Sequence, residues 1–228
     1  MNFIIFISFI FTVFSLNQTQ TQGICGNDCH WQISSDNTKL TISGTGSMNN
    51  YYSLNSIPWH SYLSSITSIE ITGSLQSIGQ LAFSETSKLK EVKMLYITQI
   101  NEGAFYHSGM ESITISQNLE TIGNNAFEQS RLKNVVFENN SKLKVIRDKA
   151  FKNCIGLETI NLPENVEVIG RKAFEGCLNL KTITIGSKMN NLGEHVFSNC
   201  ENLRKIEIDL QNKHYQSVKN VIFGNNVF

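Results

Sequence analysis

An Ala-Phe pair recurs along this chain at Ala82-Phe83, Ala104-Phe105, Ala126-Phe127, Ala150-Phe151 and Ala173-Phe174, with Val196-Phe197 as a sixth variant. The intervals are 22, 22, 24, 23 and 23 residues. A short, steady period of this kind excludes one ordinary globular core, because each copy is a single supersecondary unit that buries its apolar side only against its neighbours. Further apolar marks keep step with the pair. A triad reads Leu89/Val92/Met94, Met110/Ile113/Ile115, Leu132/Val135/Phe137, Leu157/Ile160/Leu162, Leu180/Ile183/Ile185 and Leu203/Ile206/Ile208. A second element starts at Leu75, Ile97, Leu119, Leu143, Val166 and Met189, and is followed three residues later by Ile78, Ile100, Ile122, Ile146, Ile169 and Leu192.

The pattern predicts an α/β repeat solenoid. The triad segment L-x-x-I-x-I alternates apolar with polar residues and is rich in Ile, Val and Thr, so it reads as a strand. Copies at a fixed period stack as neighbours in a parallel sheet, about 4.8 Å apart. In A-F-x-x-C the apolar residues fall at i, i+1 and i+4, the spacing of one helical turn, which predicts a short helix or 3-10 turn on the opposite side of each coil.

The ends depart from the array. Met1 to Leu16 is almost continuously apolar and Asn17 to Gln22 is polar, which suits a signal peptide over residues 1–23, with a cut near Gly23. It lacks the usual Lys or Arg ahead of the apolar run, so a retained anchor or a misplaced start are the alternatives. No later segment is long and apolar enough to span a bilayer. Residues 24–74, with Trp31, Trp59 and the alternating run Lys39-Leu40-Thr41-Ile42, read as an N-terminal cap over the open end of the solenoid. Residues 75–208 are the array of about six coils, and 209–228 are a C-terminal cap or a further unit cut short.

The balance of 19 basic against 19 acidic residues, interspersed along the chain, leaves no electrostatic footprint for nucleic acid or an anionic membrane. Catalytic motifs are absent, the five histidines occupy different repeat slots, and no cofactor is implied. Cys154, Cys177 and Cys200 share a slot with Thr86, Ser108 and Ser130, which asks for a small buried side chain rather than a metal ligand. Cys25 and Cys29 suit a disulfide, with a metal site beside His30 as the alternative.

The residues I-G-x-x-A-F-x-x-C and L-x-x-I-x-I, together with Cys25-Gly26, Trp31, Leu40-Thr41-Ile42-Ser43-Gly44-Thr45-Gly46, Met48 and Pro58-Trp59, resemble the BspA-like surface antigens, built from leucine-rich repeats of about 23 residues. The resemblance implies a curved array with its parallel sheet on the concave side, displayed at or shed from a cell surface. It also implies a non-enzymatic binder of host cells, matrix proteins or other microbes, through a protein or glycan ligand.

If the triad points inward, alternate strand positions point out. Ser112, Thr114, Asn134, Thr159, Asn161, Thr182 and Thr184 then form a neutral, hydrogen-bonding floor, flanked by the charged pairs Glu91/Lys93 and Lys205/Glu207. The floor is the expected ligand surface, although Thr and Asn are also ordinary occupants of an exposed sheet. Asn139-Asn140-Ser141 is a glycosylation sequon in the longest repeat, and Asn17-Gln18-Thr19 is a second that would leave with a signal. An intracellular scaffold and a surface-coat element without a discrete ligand are the competing readings.

Overall fold

The structure, a computed structural model, describes residues 20–218 and 221–223. The apolar start and the Asn17 sequon lie outside the described residues, as do 219–220 and 224–228. Residues 20–215 build a β-solenoid whose coils have three sides.

One side carries the triad strands, Ser68–Ile71, Glu91–Met94, Ser112–Ile115, Asn134–Phe137, Thr159–Asn161, Thr182–Ile185 and Lys205–Ile208. A second side, which alternation could not announce because its strands are mostly two residues long, runs from Ser74–Ile78 through Gln99–Ile100, Thr121–Ile122, Val145–Ile146 and Val168–Ile169 to Asn191–Leu192. Its six strands are parallel and in unbroken register.

The third side corrects the expected helix. The Ala-Phe segments are successive turns, and the only helical pieces among the described residues are two 3-10 turns, Leu54–Ser56 and His60–Tyr62. In every coil the residue before the Ala (or Val196) and the second residue after the Phe have left-handed backbone: Leu81 and Glu85, Gly103 and His107, Asn125 and Gln129, Lys149 and Asn153, Lys172 and Gly176, His195 and Asn199. A right-handed helix does not accommodate such residues. The alternation turns every second N–H outward along the solenoid axis. Phe83, Phe105, Phe127, Phe151 and Phe174 donate to the carbonyls of Ala104, Ala126, Ala150, Ala173 and Val196 in the next coil, at 2.8 to 3.0 Å. The residues between them close turns within their own coil, as Ser84 N–H does on Leu81 O at 3.0 Å. The turn side is therefore also a ladder between coils.

Inside, the phenylalanines form one column. Successive ring centroids from Phe83 to Phe174 lie 5.2 to 5.3 Å apart, and Phe197 follows at 6.0 Å. Trp59 and Trp31 extend the column at 5.8 Å each, both rings buried. The Trp59 indole N–H donates to Ala82 O at 2.9 Å. Both tryptophans are core residues, and of the two Trp31 alone backs a surface cleft, beside His30 and Thr41.

Ahead of the coils, β1 (Gln22–Gly26), β2 (Cys29–Ile33) and β3 (Lys39–Ser47) form an antiparallel meander. A disulfide joins Cys25 to Cys29. Strand β3 feeds both sheets: Lys39 to Ile42 pair with Ser68–Ile71, while Thr45 to Ser47 pair with Ser74–Ile78. The bend between them falls at Gly44, whose φ of 120° and approach to Asp28 O leave no room for a Cβ. After the last coil, Asn212 Nδ2 donates to Gly186 O and Met189 O, and Tyr215 OH accepts from Leu192 N–H, tying this segment to the coil before it. Gln216–Val218 then pairs antiparallel with Val221–Phe223.

The triad side is not continuous. No ladder joins Glu91–Met94 to Ser112–Ile115, and a single bridge, Asn134 to Thr159, joins the next pair of coils to the last three. Spacing explains both faults. From the second element to the Phe there are eight residues in all six coils, Leu75 to Phe83 through Met189 to Phe197. From Phe to the next triad there are six residues at Leu89, Leu157, Leu180 and Leu203, but five at Met110 and Leu132. The two five-residue coils match each other over four register pairs and mismatch their neighbours on both sides.

Candidate functional site

On the triad face, the inward alternation places the expected floor in two rows. The first runs Ser112, Asn134, Thr159, Thr182 and Lys205, each in register with the next. The second runs Thr114 and Val136 on the five-residue coils, then Asn161, Thr184 and Glu207. The face thus brings together all seven residues picked from sequence. Ser112, Thr114, Asn134, Thr159 and Asn161 are exposed, while Thr182 and Thr184 are half-buried. Thr184 Oγ1 donates to Glu207 at 3.3 Å. The other six side chains make no hydrogen bond to any described residue, so their donors and acceptors face outward unused.

The floor is not neutral, however. One position before each strand from Glu91–Met94 onward stands a third exposed row that the alternation did not include: Lys90, Glu111, Lys133, Glu158, Lys181 and Arg204. Its signs alternate from Lys90 to Lys181, Arg204 repeating the positive sign, and coils are clipped along it by Lys133 to Glu111 at 2.9 Å and Lys181 to Glu158 at 2.6 Å. The hydrogen bond from each lysine, then its charge, holds the Glu111 and Glu158 carboxyls below the usual carboxylate range. Such exposed pairs contribute little stability but fix a pattern of charge beside the hydroxyl rows.

The cysteine slot proves to be more than small. Cys154, Cys177 and Cys200 donate through Sγ to Phe127 O, Phe151 O and Phe174 O of the preceding coil, at 3.1 to 3.2 Å. Thr86 in the same slot donates to Phe83 O at 2.7 Å. Burial pushes the Cys154 thiol up to about 12 and the Cys200 thiol to about 11, so these are packing residues rather than reactive ones. Among the described residues no group of three or more His, Cys, Asp and Glu could hold a metal ion, and no helix is long and apolar enough to cross a membrane. His107 pairs with Glu85 at 2.8 Å. Asn139 is exposed, in a connection of six residues from Phe137 to Leu143 where Ile115 to Leu119 takes four.

With the coil geometry established, sequence comparison agrees with it. Six copies of the BspA type leucine rich repeat region match residues 55–144 and 140–227. The chain belongs to that family. Among solved structures, this BspA type chain is similar to a leucine-rich repeat protein from Eubacterium ventriosum, with 22% identity, a TM-score of 0.61 and 90% of this chain aligned. It is also similar to the Treponema pallidum leucine-rich repeat protein, with 21% identity and a TM-score of 0.57, over 76% of this chain and 86% of that one. The alignment spans about half, 48%, of the Eubacterium ventriosum chain. No protein of curated function is significantly similar in sequence. At these identities the structures share the fold alone.

Proposed function

We propose that this BspA type protein is exported, and that it holds a protein or glycan ligand on the triad face to attach a cell to host tissue, matrix or other microbes. The observation that carries the reading is the set of six polar side chains on one face of the solenoid whose hydrogen-bonding groups have no partner within the described chain. Because each coil contacts only its neighbours, a solenoid offers an extended surface rather than a pocket, and binding is what such a surface does. Consistent with export are the apolar start, the Cys25–Cys29 disulfide and the Asn139 sequon, which we propose carries a glycan.

Replacing Thr159, Asn161, Thr182 and Thr184 together by Ala leaves the inward triads untouched. Adhesion of beads coated with this variant to epithelial monolayers and to a panel of matrix proteins is expected to fall about tenfold with the unfolding midpoint unchanged. Full adhesion by the folded variant would refute the assignment of the face. Surface labelling of intact cells tests export, and protein found only in the cell interior would favour a scaffold role. A mobility shift on N-glycosidase treatment, lost in Asn139→Gln, tests the glycan.

A further inference from the structure

Where the triad sheet comes apart, the molecule opens a site outside the hydroxyl rows. The middle residues of the other triad strands, Ile69, Ile113, Val135, Ile160, Ile183 and Ile206, are 1 to 5% exposed. Val92, at the break, is only partly buried. In the paired coils, Lys133 and Asn134 N–H both donate to Glu111 O, yet neither Glu111 nor Ser112 N–H donates to Lys90 O. The strands on either side of the break therefore leave main-chain groups without their ladder partners.

Two clefts lie across this line, each lined by residues from both sides of the break. The first, about 540 Å³, reaches the apolar floor of Val92, Met94 and Ile113, and its rim carries Leu95 and Tyr96, which are 62% and 56% exposed. Its carboxylates already have partners: Glu70 binds Lys39 at 2.6 Å, Glu91 binds Lys93 at 3.3 Å, and Glu138 accepts Gln117 N–H at 2.9 Å. The second cleft, about 640 Å³, is lined by Lys88, Lys90 and Arg131, exposed cations that form no ion pair among the described residues. Its single carboxylate, Glu111, is held by Lys133. Lys90 and Ser112 line both clefts, which makes them one continuous trough across the break.

We infer that this trough binds an extended acidic peptide segment of another protein. A large apolar side chain fills the first cleft, carboxylates meet Lys88, Lys90 and Arg131, and the peptide crosses the face between the two clefts at Lys90 and Ser112. An apolar cleft joined to a cationic one suits a peptide, which carries apolar and acidic side chains at a spacing of a few residues. Cations outside any ion pair stand at the second cleft and favour acidic side chains there. The inference rests on the proposal that the triad face binds, and narrows it to a place and a partner class.

The test is selection of a random-peptide phage library on the full chain, followed by fluorescence anisotropy with the selected peptides. Sequences combining Asp or Glu with Trp, Phe or Leu are expected. Leu95→Ala/Tyr96→Ala and Lys88→Glu/Lys90→Glu/Arg131→Glu, all at exposed positions, each weaken binding about tenfold or more. Affinity of the wild type falls with added salt, and the charge-reversed variant loses that dependence. No enrichment, or selected peptides indifferent to both variants, overturns the inference. Capture of heparin in place of peptides, lost on charge reversal, overturns the partner class. If cell adhesion survives both trough variants but is lost on alanine replacement of the hydroxyl rows, this inference alone fails. If adhesion survives every variant, the function of the face fails with it.

Discussion

Replacing Phe127 by Ala takes the middle ring out of the aromatic column. Phe127 is fully buried, stacked 5.3 Å from Phe105 on one side and 5.2 Å from Phe151 on the other. Truncating a buried Phe to Ala costs about 3–5 kcal/mol, from lost transfer energy and from the cavity left behind. The cavity here closes poorly, because the flanking residues are pinned by main-chain bonds: Phe105 N–H to Ala126 O and Phe151 N–H to Ala173 O, both 2.8 Å. The loss of two ring contacts adds to that, and we expect about 4 kcal/mol, a fall in Tm on the order of 10 °C. Phe197, with one ring neighbour among the described residues, at 6.0 Å, is the internal control, expected to cost about 3 kcal/mol or less. In a repeat array stability is a sum over neighbouring units, so a weak centre also lets the two halves melt apart, broadening the transition. Urea unfolding followed by circular dichroism reads both quantities. A cost below about 1.5 kcal/mol, or one equal to that of Phe197→Ala, would show that the column does not join the coils.

Thiol reactivity follows burial. At about pH 8 a disulfide reagent should modify Cys200 first and leave Cys154 and Cys177 intact until denaturant is added; burial, then the neighbouring cysteines, raises the Cys177 thiol well above its ordinary value. Hydrogen bonds from Lys39, Lys133, Lys181 and Lys205 hold Glu70, Glu111, Glu158 and Glu207 below the usual carboxylate range. A folded pKa below the unfolded one contributes stability above the unfolded value and loses it as pH falls through the folded one. Tm should therefore drop on acidification from about pH 5, less steeply in high salt, and a flat profile would contradict the pairing. Inserting one residue after Ser108 and one after Ser130 makes every connection from Phe to triad equal. Amide exchange at Ser112 and Thr114 should then slow about tenfold or more as the ladder closes, and unchanged exchange would refute the spacing argument.

The column of rings, the inward triads and the two polar rows were all legible, because a periodic sequence states which residues share a side. The turn side was not, since Ala150, Phe151 and Cys154 have the spacing of a helical turn while their direction is set by the left-handed Lys149 and Asn153. The signal was present in the residue types at those two positions, where Gly, Asn and His recur at Gly103, His107, Asn125, Asn153, Gly176, His195 and Asn199. The charged row escaped because Glu111, Lys133 and Glu158 stand just before the alternation begins. The break escaped because intervals between Ala-Phe pairs add two connections together. Counted from triad to triad, Leu89, Met110, Leu132, Leu157 and Leu180 lie 21, 22, 25 and 23 residues apart, and the irregularity is plain.

The constant eight residues from second element to Phe divide each coil into a chassis and a bodywork. Deletions and insertions in the two variable connections slide the triad strands without touching the rings or the turn ladder, so the relief of that face can be remodelled while the packed interior stays as it is. Lineages that add or drop a single residue after the Phe would gain or close a trough in one mutational step, a route to diversity that needs no change of side chain at all.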